Sequence, residues 1–598
     1  MSINSLDVLK KYFGYDSFRE GQKEITDDVL SGRDVLGIMP TGAGKSICFQ
    51  IPGICFEGIT LVISPLISLM KDQTDSLGEL GIKAAFINST LSLDEQKSIL
   101  RDTADGKYKM LYIAPERLDS EVFCNFCGNI NISFVAVDEA HCVSQWAHDF
   151  RPSYRKISGF IESLHERPVV GAYTATATDT VKDDIIKLLG LKDPKVLITC
   201  FDRKNLIFSV VRGANKDNYI LSYLSKNRGS TGIIYTSTRK ETERIYSLLI
   251  KKEFKAGVYH AGMSDEERTK MQNAFAYDDI DVMVATNAFG MGIDKSNVRF
   301  VIHNNMPKNI ESYYQEAGRA GRDGQKSECM LLFAPGDIQL QSYFIEEGNL
   351  SPERKKYEYL KLRAMADYCY TSKCLRKYIL EYFGEKVTYD NCRSCGNCCD
   401  KSEKKDITLE AKKIFSCVYR LKERYGVNVT AEVLKGSLNH KITSLRLNTL
   451  STYGIMKEYK AKEIADTINK LAADGYLNLS GGTYPVLKLT NKAAQVLKNN
   501  ENVSIKVPKI EHRADSDNEL FERLRALRKD ISIKEKVPPY IIFADTALKE
   551  MSEYFPVNKE EFMNIKGVGE IKFEKYGNQF IDLVKKYVQE KNYKAHNV

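Results

Sequence analysis

The stretch from Met39 to Ser46, MPTGAGKS, constrains this chain more than any other. It lies between Val35-Leu36-Gly37-Ile38, an apolar run suited to a buried strand, and Ile47 to Ile51, suited to a helix start. Strand, glycine loop, Lys-Ser and helix in that order form a phosphate-binding loop. Glycines such as Gly42 and Gly44, beside Thr41, let the backbone curl so that successive N–H groups point at an anion. The helix N-terminus adds partial positive charge. Lys45 can reach the β- and γ-phosphates, and the Ser46 hydroxyl can hold Mg²⁺. The strict pattern begins with Gly, where this chain has Met39. A glycine turn ending in a surface Lys-Ser has the same letters, so the rest of the chain must decide.

Length allows a large machine around that loop. At 598 residues the chain predicts four or five domains. Hydrophobic residues at 43% and charged ones at 28% are ordinary for globular domains. No apolar run approaches a membrane span, and MSINSLDVLKKYFG lacks the plan of a signal peptide. The expected location is the cytoplasm, with no membrane partner. A net charge of +8 suits an acidic polymer partner without requiring one.

The first third alternates apolar strands with helical patterns, as α/β sheets do. Ahead of the loop, FGYDSFREGQ offers Tyr15 for stacking, Arg19 as a cation and Gln22 as an amide able to pair with an adenine edge; a plain surface helix would look the same. The strand Phe134 to Val137 runs into Asp138-Glu139-Ala140-His141. An acid at a strand end can anchor Mg²⁺, and its neighbour can orient or deprotonate water. His141 is placed to relay between that pair and CVSQWAHDFRPSY, which holds Trp146, His148, Phe150 and Arg151. Aromatics mixed with Arg and His suit the stacking of unpaired bases, with an aromatic core patch as the alternative. Thr174-Ala175-Thr176-Ala177, after the strand Val169 to Tyr173, could link the two sites through hydroxyls.

A second α/β unit begins near residue 205 and ends in ESYYQEAGRAGRDG. Gln315, Arg319 and Arg322 there are spaced by four and three, which predicts one helical face carrying all three. Guanidiniums on that face could close on a nucleotide held by the first unit.

Taken in order, FGYDSFREGQ, MPTGAGKS, DEAH, SQWAHDFRP, TATA, YHAGM and ESYYQEAGRAGRDG resemble the superfamily 2 helicases, and the RecQ family of DNA helicases in particular. Ala43 and Ala147 stand where that family usually has Gly. The resemblance implies a multidomain α/β protein of bacterial-type layout. It comprises two RecA-like parallel-sheet lobes (1–204 and 205–342), a zinc-binding helical subdomain (343–400), a winged helix (401–500), a linker (501–516) and a small all-α HRDC domain (517–598). It also implies an ATP hydrolase that moves 3′ to 5′ and unwinds DNA in recombination and repair, with ATP, Mg²⁺ and Zn²⁺ as cofactors. The implied partners are single-stranded and forked duplex DNA, with a single-stranded-DNA-binding protein as a candidate, and in a bacterium the nucleoid as the place of work. By the same resemblance Tyr15, Arg19 and Gln22 bind adenine; Lys45, Ser46 and Asp138 hold phosphate and Mg²⁺; Glu139 activates water. Trp146, His148, Phe150 and Arg151 couple DNA to hydrolysis, and Gln315, Arg319 and Arg322 sense the γ-phosphate.

Beyond the motor, a charged helical stretch over 345–370 carries Arg354, Lys355, Lys356, Lys361 and Arg363, either as a solvated face or as phosphate contacts. Of 14 cysteines, Cys392, Cys395, Cys398 and Cys399 crowd together after Cys374. Tandem C-x₂-C spacing aims thiolates at one tetrahedral ion. Five candidates compete for four places, and Cys398 keeps the even spacing, so Cys374, Cys392, Cys395 and Cys398 are the expected ligands of a structural zinc. DKSEKKD, from Asp400 to Asp406, reads as a charged linker. Helices followed by a hairpin over Tyr476 to Leu489, with Gly481-Gly482 at its turn, suggest a winged helix with Ala461 to Ala473 facing DNA and Tyr484 near the wing tip. Ile565 to Gly569 predicts a helix-to-helix turn, either a plain cap or a phosphate contact.

Overall fold

Strands buried on both faces read as continuous apolar runs, and five of the seven strands in residues 35–198 are of this kind, the two edge strands alternating instead. The computed structural model describes the chain except residues 1–3, 66, 89–90, 148, 291–294, 401, 403, 481–484, 499–500, 507–518, 564, 566 and 596–598. Helix α1 (Gln22–Leu30) precedes strand β1 (Val35–Ile38), and helix α2 (Lys45–Cys55) follows the glycine loop. The other strands of the first lobe are β2 (Ile59–Ile63), β3 (Ala84–Ile87), β4 (Met110–Ile113), β5 (Ile132–Val137), β6 (Val169–Thr174) and β7 (Lys195–Ile198). They form one parallel sheet in the order β3-β4-β2-β5-β6-β1-β7. This order puts β6 between β1 and β5, so the TATA stretch ends between the phosphate loop and the Asp-Glu pair. The start of β1 is pinned by buried Asp34. Its carboxylate accepts from the backbone N–H of Val170 (3.0 Å) and Lys192 (2.7 Å) and from Arg167 (2.6 Å).

The second lobe repeats the plan with β8 (Leu206–Arg212), β9 (Gly232–Tyr235), β10 (Ala256–Tyr259), β11 (Val282–Ala285), β12 (Phe300–His303) and β13 (Ser327–Phe333), in the order β10-β11-β9-β12-β13-β8. Helix α3 (Ile310–Ala317) lies between β12 and β13. It stops at Ala317, which corrects the single helical face expected for Gln315, Arg319 and Arg322. Gly318 and Gly321 fall where the helix would continue, and Gly321 adopts φ +57°, a backbone that helices exclude. Gln315 is therefore on α3, while Arg319 and Arg322 sit on the turns after it.

Helix α4 (Pro352–Tyr370) and helix α5 (Leu375–Tyr382) build the next unit. The charges of α4 are neither solvated nor open to a polyanion at two key positions. Arg354 donates to the carbonyls of Gln145 and Ala147, and Lys361 to that of Trp146 (3.2 Å), all in the aromatic loop of the first lobe. Lys361 also pairs with buried Glu311 at 2.8 Å.

Helices α6 (Thr408–Arg420), α7 (Val427–Lys435) and α8 (Ala461–Ala473) share a separate core closed by a short antiparallel hairpin. A strand within the expected linker, β14 (Lys404–Asp406), precedes them; the hairpin is β15 (Leu477–Leu479) and β16 (Leu487–Leu489), and β17 (Ser504–Lys506) follows. In the hairpin Leu477 faces Leu489; its turn, with Gly481, Gly482 and Tyr484, lies outside the described residues. Both expected linkers are corrected here. Lys404–Asp406 pairs antiparallel with Ser504–Lys506, so the unit begins before residue 407 and runs past 500. Backbone pairing fixes these polar residues, which hydropathy alone cannot show. Helix α8 is partly occupied: Tyr370 Oη donates to Asp466 (3.4 Å), and Thr371 and Ser372 donate to Asp474 (3.0 and 2.7 Å).

The last unit is helical, from α9 (Glu519–Glu535) to α10 (Asn578–Ala595), around its own apolar core. It docks on both lobes. Tyr576 Oη donates to Glu79 (2.7 Å) in the first, and Lys529 pairs with Asp279 (2.8 Å) in the second. In the glycine turn near 567, Gly569 caps the start of the short helix Glu570–Lys572 and packs directly on Gly14, where a Cβ would come within 2.6 Å of the Gly569 backbone N. Among the described residues no helix is long and apolar enough to cross a membrane.

Asp34→Ala leaves the buried N–H of Val170, the half-buried N–H of Lys192 and Arg167 unmatched at the root of β1. We expect a loss of about 3 kcal/mol in the first lobe, read as a lower midpoint for its calorimetric transition, with the helical C-terminal transition unmoved.

Candidate active site

The glycine loop occupies the C-terminal end of β1, where open α/β sheets bind ligands. Gly42 and Gly44 have φ of +84° and +82°, and α2 starts at Lys45, so its N-terminus faces the loop, with Ser46 in its first turn. A Cβ on Gly44 would strike the Gln22 amide nitrogen at 2.5 Å. That amide donates to the carbonyls of Ala43 (2.9 Å) and Gly44 (3.1 Å), and its oxygen accepts from Arg19 N–H (2.9 Å). The Arg19 guanidinium donates to Gly42 O at 2.7 Å. The residues expected to read adenine thus brace the phosphate loop here, while Tyr15 is 37% exposed at the edge.

Asp138 and Glu139 follow β5. Glu139 takes a left-handed backbone, φ 47°, unusual for a residue with a side chain. This turn aims its carboxylate at the loop: Lys45 Nζ is 3.7 Å from one oxygen and His141 Nδ1 is 3.3 Å from the other. Burial, then the Glu139 charge, raises the Asp138 carboxyl to about 6. His141 is buried, and burial pushes its imidazole down to about 3, so it is neutral at physiological pH. Its Nδ1 is 2.8 Å from Thr174 Oγ1, whose hydroxyl donates onward to Thr176 O at 3.2 Å. The hydroxyl oxygen therefore accepts from Nδ1–H, which joins His141 to the end of β6, while Glu139 lies beside the same ring nitrogen without a hydrogen bond to it.

Across the cleft, Arg319 is buried and its Nε has no hydrogen-bond partner. Burial lowers its pKa and the nearby Arg322 does so further, whereas Tyr235, Glu316 and Glu139 favour its charge. It reaches this place past Gly290, where a Cβ would lie 2.5 Å from Arg319 Nε. Thr41 Oγ1 is also buried without a hydrogen-bond partner. Orphaned polar atoms on both walls, with Lys45, Arg19, Arg319 and Arg322 facing few carboxylates, fit a triphosphate with a divalent cation. Gln315 is half-buried on α3.

The aromatic loop is docked rather than open. Trp146 is half-buried, edge-on to Tyr357 on α4 at 5.5 Å, with Arg354 6.0 Å from its ring. Phe150 is 37% exposed beside Arg155. Arg151 turns inward and donates to Pro65 O at 3.0 Å. His148 lies outside the described residues. Tyr154, in the same stretch, is a fully buried ring whose hydroxyl donates to Asp138 O at 2.8 Å and so ties this loop to the acidic pair, a role the sequence does not assign it. A tyrosine in an aromatic stretch carries no local mark of that bond.

Four thiols, Cys374, Cys392, Cys395 and Cys398, have sulfurs within 4.8 Å of one another. Cys374 and Cys395 sulfurs are 4.0 Å apart, close to the edge of about 3.8 Å that a Zn–S tetrahedron requires. Backbone N–H groups of Lys377 and Cys395 donate to Cys374 and Cys392 Sγ (3.4 and 3.2 Å), as thiolate ligands invite. The adjoining Cys374 sulfur favours the thiolate form of Cys395. The donor set fits one zinc with no open position, and Cys399 is exposed outside it. Cys398→Ser should purify without zinc and Cys399→Ser with an equimolar amount, by atomic emission; the reverse pattern would exchange the two.

Family models match the chain in series: DEAD/DEAH box helicase over residues 19–184, helicase conserved C-terminal domain over 215–324, RecQ zinc-binding over 335–399, RQC domain over 401–514 and HRDC domain over 517–584. Among curated proteins, the ATP-dependent DNA helicase RecQ of Bacillus subtilis is 50% identical over 97% of this chain and 98% of its own length. The protein of the same name from Pasteurella multocida is 41% identical over 98% of this chain and 94% of its own. The two lobes, the thiol cluster, the winged helix and the helical C-terminal unit are the parts these models describe. The chain belongs to the RecQ family, and it is an ATP-hydrolysing DNA helicase with a bound zinc.

Proposed function

We propose that the enzyme travels 3′ to 5′ on single-stranded DNA, opens forked duplexes in recombination and repair, and works in the cytoplasm on the nucleoid with a single-stranded-DNA-binding protein as partner. The observation that carries its mechanism is Lys45, Glu139 and Arg319 meeting across one cleft from two lobes. In this reading Thr41, Gly42, Gly44 and Lys45 hold the phosphates, and Ser46 and Asp138 carry Mg²⁺. Mg²⁺ when bound offsets charge on the phosphoryl oxygens. Glu139 orients the attacking water and takes its proton. Arg319 and Arg322 stabilise charge on the γ-phosphate, and Gln315 reports its presence to α3. Tyr15, Arg19 and Gln22 bind adenine once the Gln22 amide leaves the loop carbonyls. His141 connects the state of Glu139 to Thr174, and with Trp146, His148, Phe150 and Arg151 connects it to the strand of DNA. The working units are 1–204, 205–342, 343–400, a winged helix from 401 to 506, and 517–598.

Strand displacement on partial duplexes with a 3′ or a 5′ tail tests polarity; unwinding only of the 5′-tailed substrate would reverse the reading. Lys45→Ala should lower DNA-stimulated ATPase by about a hundredfold or more and leave DNA binding intact. Trp146→Ala should keep ATPase and lose unwinding, and an unchanged unwinding rate would remove Trp146 from the coupling. The Asp138 carboxyl is protonated below about 6 and must ionise to take Mg²⁺. ATPase at low Mg²⁺ should therefore rise through pH 6, and saturating Mg²⁺ should move that limb to lower pH.

A further inference from the structure

The segment joining the lobes, Cys200 to Asn205, is gripped from three sides. Phe201 stacks on Phe383 at 4.8 Å, its carbonyl accepts from Tyr314 Oη (2.6 Å), and its N–H donates to Glu385. Next to it, Arg203 spends its guanidinium entirely on backbone carbonyls. Nη1 donates to Thr41 O of the phosphate loop (2.9 Å) and to Gly318 O (2.6 Å); Nη2 donates to Ala320 O (3.0 Å) and Gly321 O (2.5 Å). The last three belong to the turns that carry Arg319 and Arg322.

One planar fork thus joins the two walls of the nucleotide cleft. Arginine suits this task because its donors are fixed in one plane and its charge is permanent. Burial lowers its pKa only to about 10, so it remains a cation, repelled by Arg322 and Arg19. The approach is close: a Cβ on Gly42 would sit 3.0 Å from Arg203 Nη1, and a Cβ on Gly318 would sit 3.2 Å from the Thr41 Cβ.

The backbone of Arg203 is itself held from the zinc subdomain. Buried Arg376, two residues after Cys374, donates to Arg203 O (2.8 Å), Leu206 O and Asp202. It also donates to Ser394 Oγ (3.3 Å), and Ser394 donates to Cys392 Sγ (3.4 Å). A continuous set of bonds runs from a zinc-binding thiol to the phosphate loop.

We propose that Arg203 is a positioning residue for ATP hydrolysis, setting the turns that carry Arg319 and Arg322 against the phosphate loop, with Arg376 and the zinc loop fixing its backbone. This rests on the role given above to Arg319 and Arg322. Arg203 does not touch the triphosphate. It acts on the distance at which the second lobe delivers its guanidiniums, which affects turnover more than nucleotide binding.

The test uses the full chain with Arg203→Met, Arg203→Lys and Arg319→Ala. It measures kcat and KM for ATP under saturating single-stranded DNA, the Kd of a fluorescent ATP analogue, Tm and zinc content. Arg203→Met should lower kcat about tenfold or more while the analogue Kd stays within about threefold and zinc is retained. Arg203→Lys, which keeps the charge and loses the fork, should recover part of kcat. Wild-type kcat in Arg203→Met overturns the proposal, as does a loss of kcat matched by an equal loss of nucleotide binding. If Arg203→Met does not fold, the same kcat-against-Kd split in Arg203→Lys decides, and wild-type kcat there overturns it. Arg319→Ala separates the two readings. If it still turns over, the reading of the arginine turns fails; if it is inactive while Arg203→Met is unimpaired, only the assignment of Arg203 fails.

Discussion

Repulsion among like charges governs the centre of this protein. Lys45, Arg19, Arg203, Arg319 and Arg322 converge on a cleft whose facing carboxylates are Asp138 and Glu139, and Asp138 is itself held back from ionising by burial and by its neighbour. Cations brought together by folding repel one another and favour an anion of matching charge. A triphosphate with its divalent ion is such an anion, and its departure restores the repulsion. Both lobes contribute cations to this cleft, and Glu139 of the first favours the charge of Arg319 of the second.

Much of this was legible in the sequence because it is local. A glycine loop between strand and helix, an acidic pair at a strand end and thiols at C-x₂-C spacing are each defined by a few adjacent residues, and the structure brings the members of each together. Residues that act at a distance were less visible. Arg354 and Lys361 have the look of a solvated or DNA-facing helix, and nothing in their spacing shows that they hold the carbonyls of Gln145, Ala147 and Trp146 in another domain. Arg319 and Arg322 follow helical spacing, yet two glycines end the helix before them. Lys404–Asp406 and Ser504–Lys506 have the composition of linkers and become strands because they find each other across a whole domain. Arg203 has no motif to mark it; its role lies in which carbonyls surround it.

The zinc subdomain occupies the middle of these long-range ties. Through α4 it holds the aromatic loop, through α5 and Arg376 it holds the lobe junction, and through Thr371 and Ser372 it holds α8 of the winged helix. A metal with four protein ligands leaves no open position for chemistry, and its place here would be structural, in a small unit that touches three neighbours. Its apolar residues belong to a continuous core that runs through both lobes, whereas the winged helix and the C-terminal unit each keep a core of their own.

The three-residue pairing of Lys404–Asp406 with Ser504–Lys506 ties the entrance of the winged helix to its exit. Tension applied along the polypeptide from its two neighbours meets the ladder at its open end and peels it one residue pair at a time. The helices between those strands are bypassed until the ladder has parted. The domain can thus lengthen its tether under a modest pull while its own packing stays intact, like a carriage on a short slip-knot.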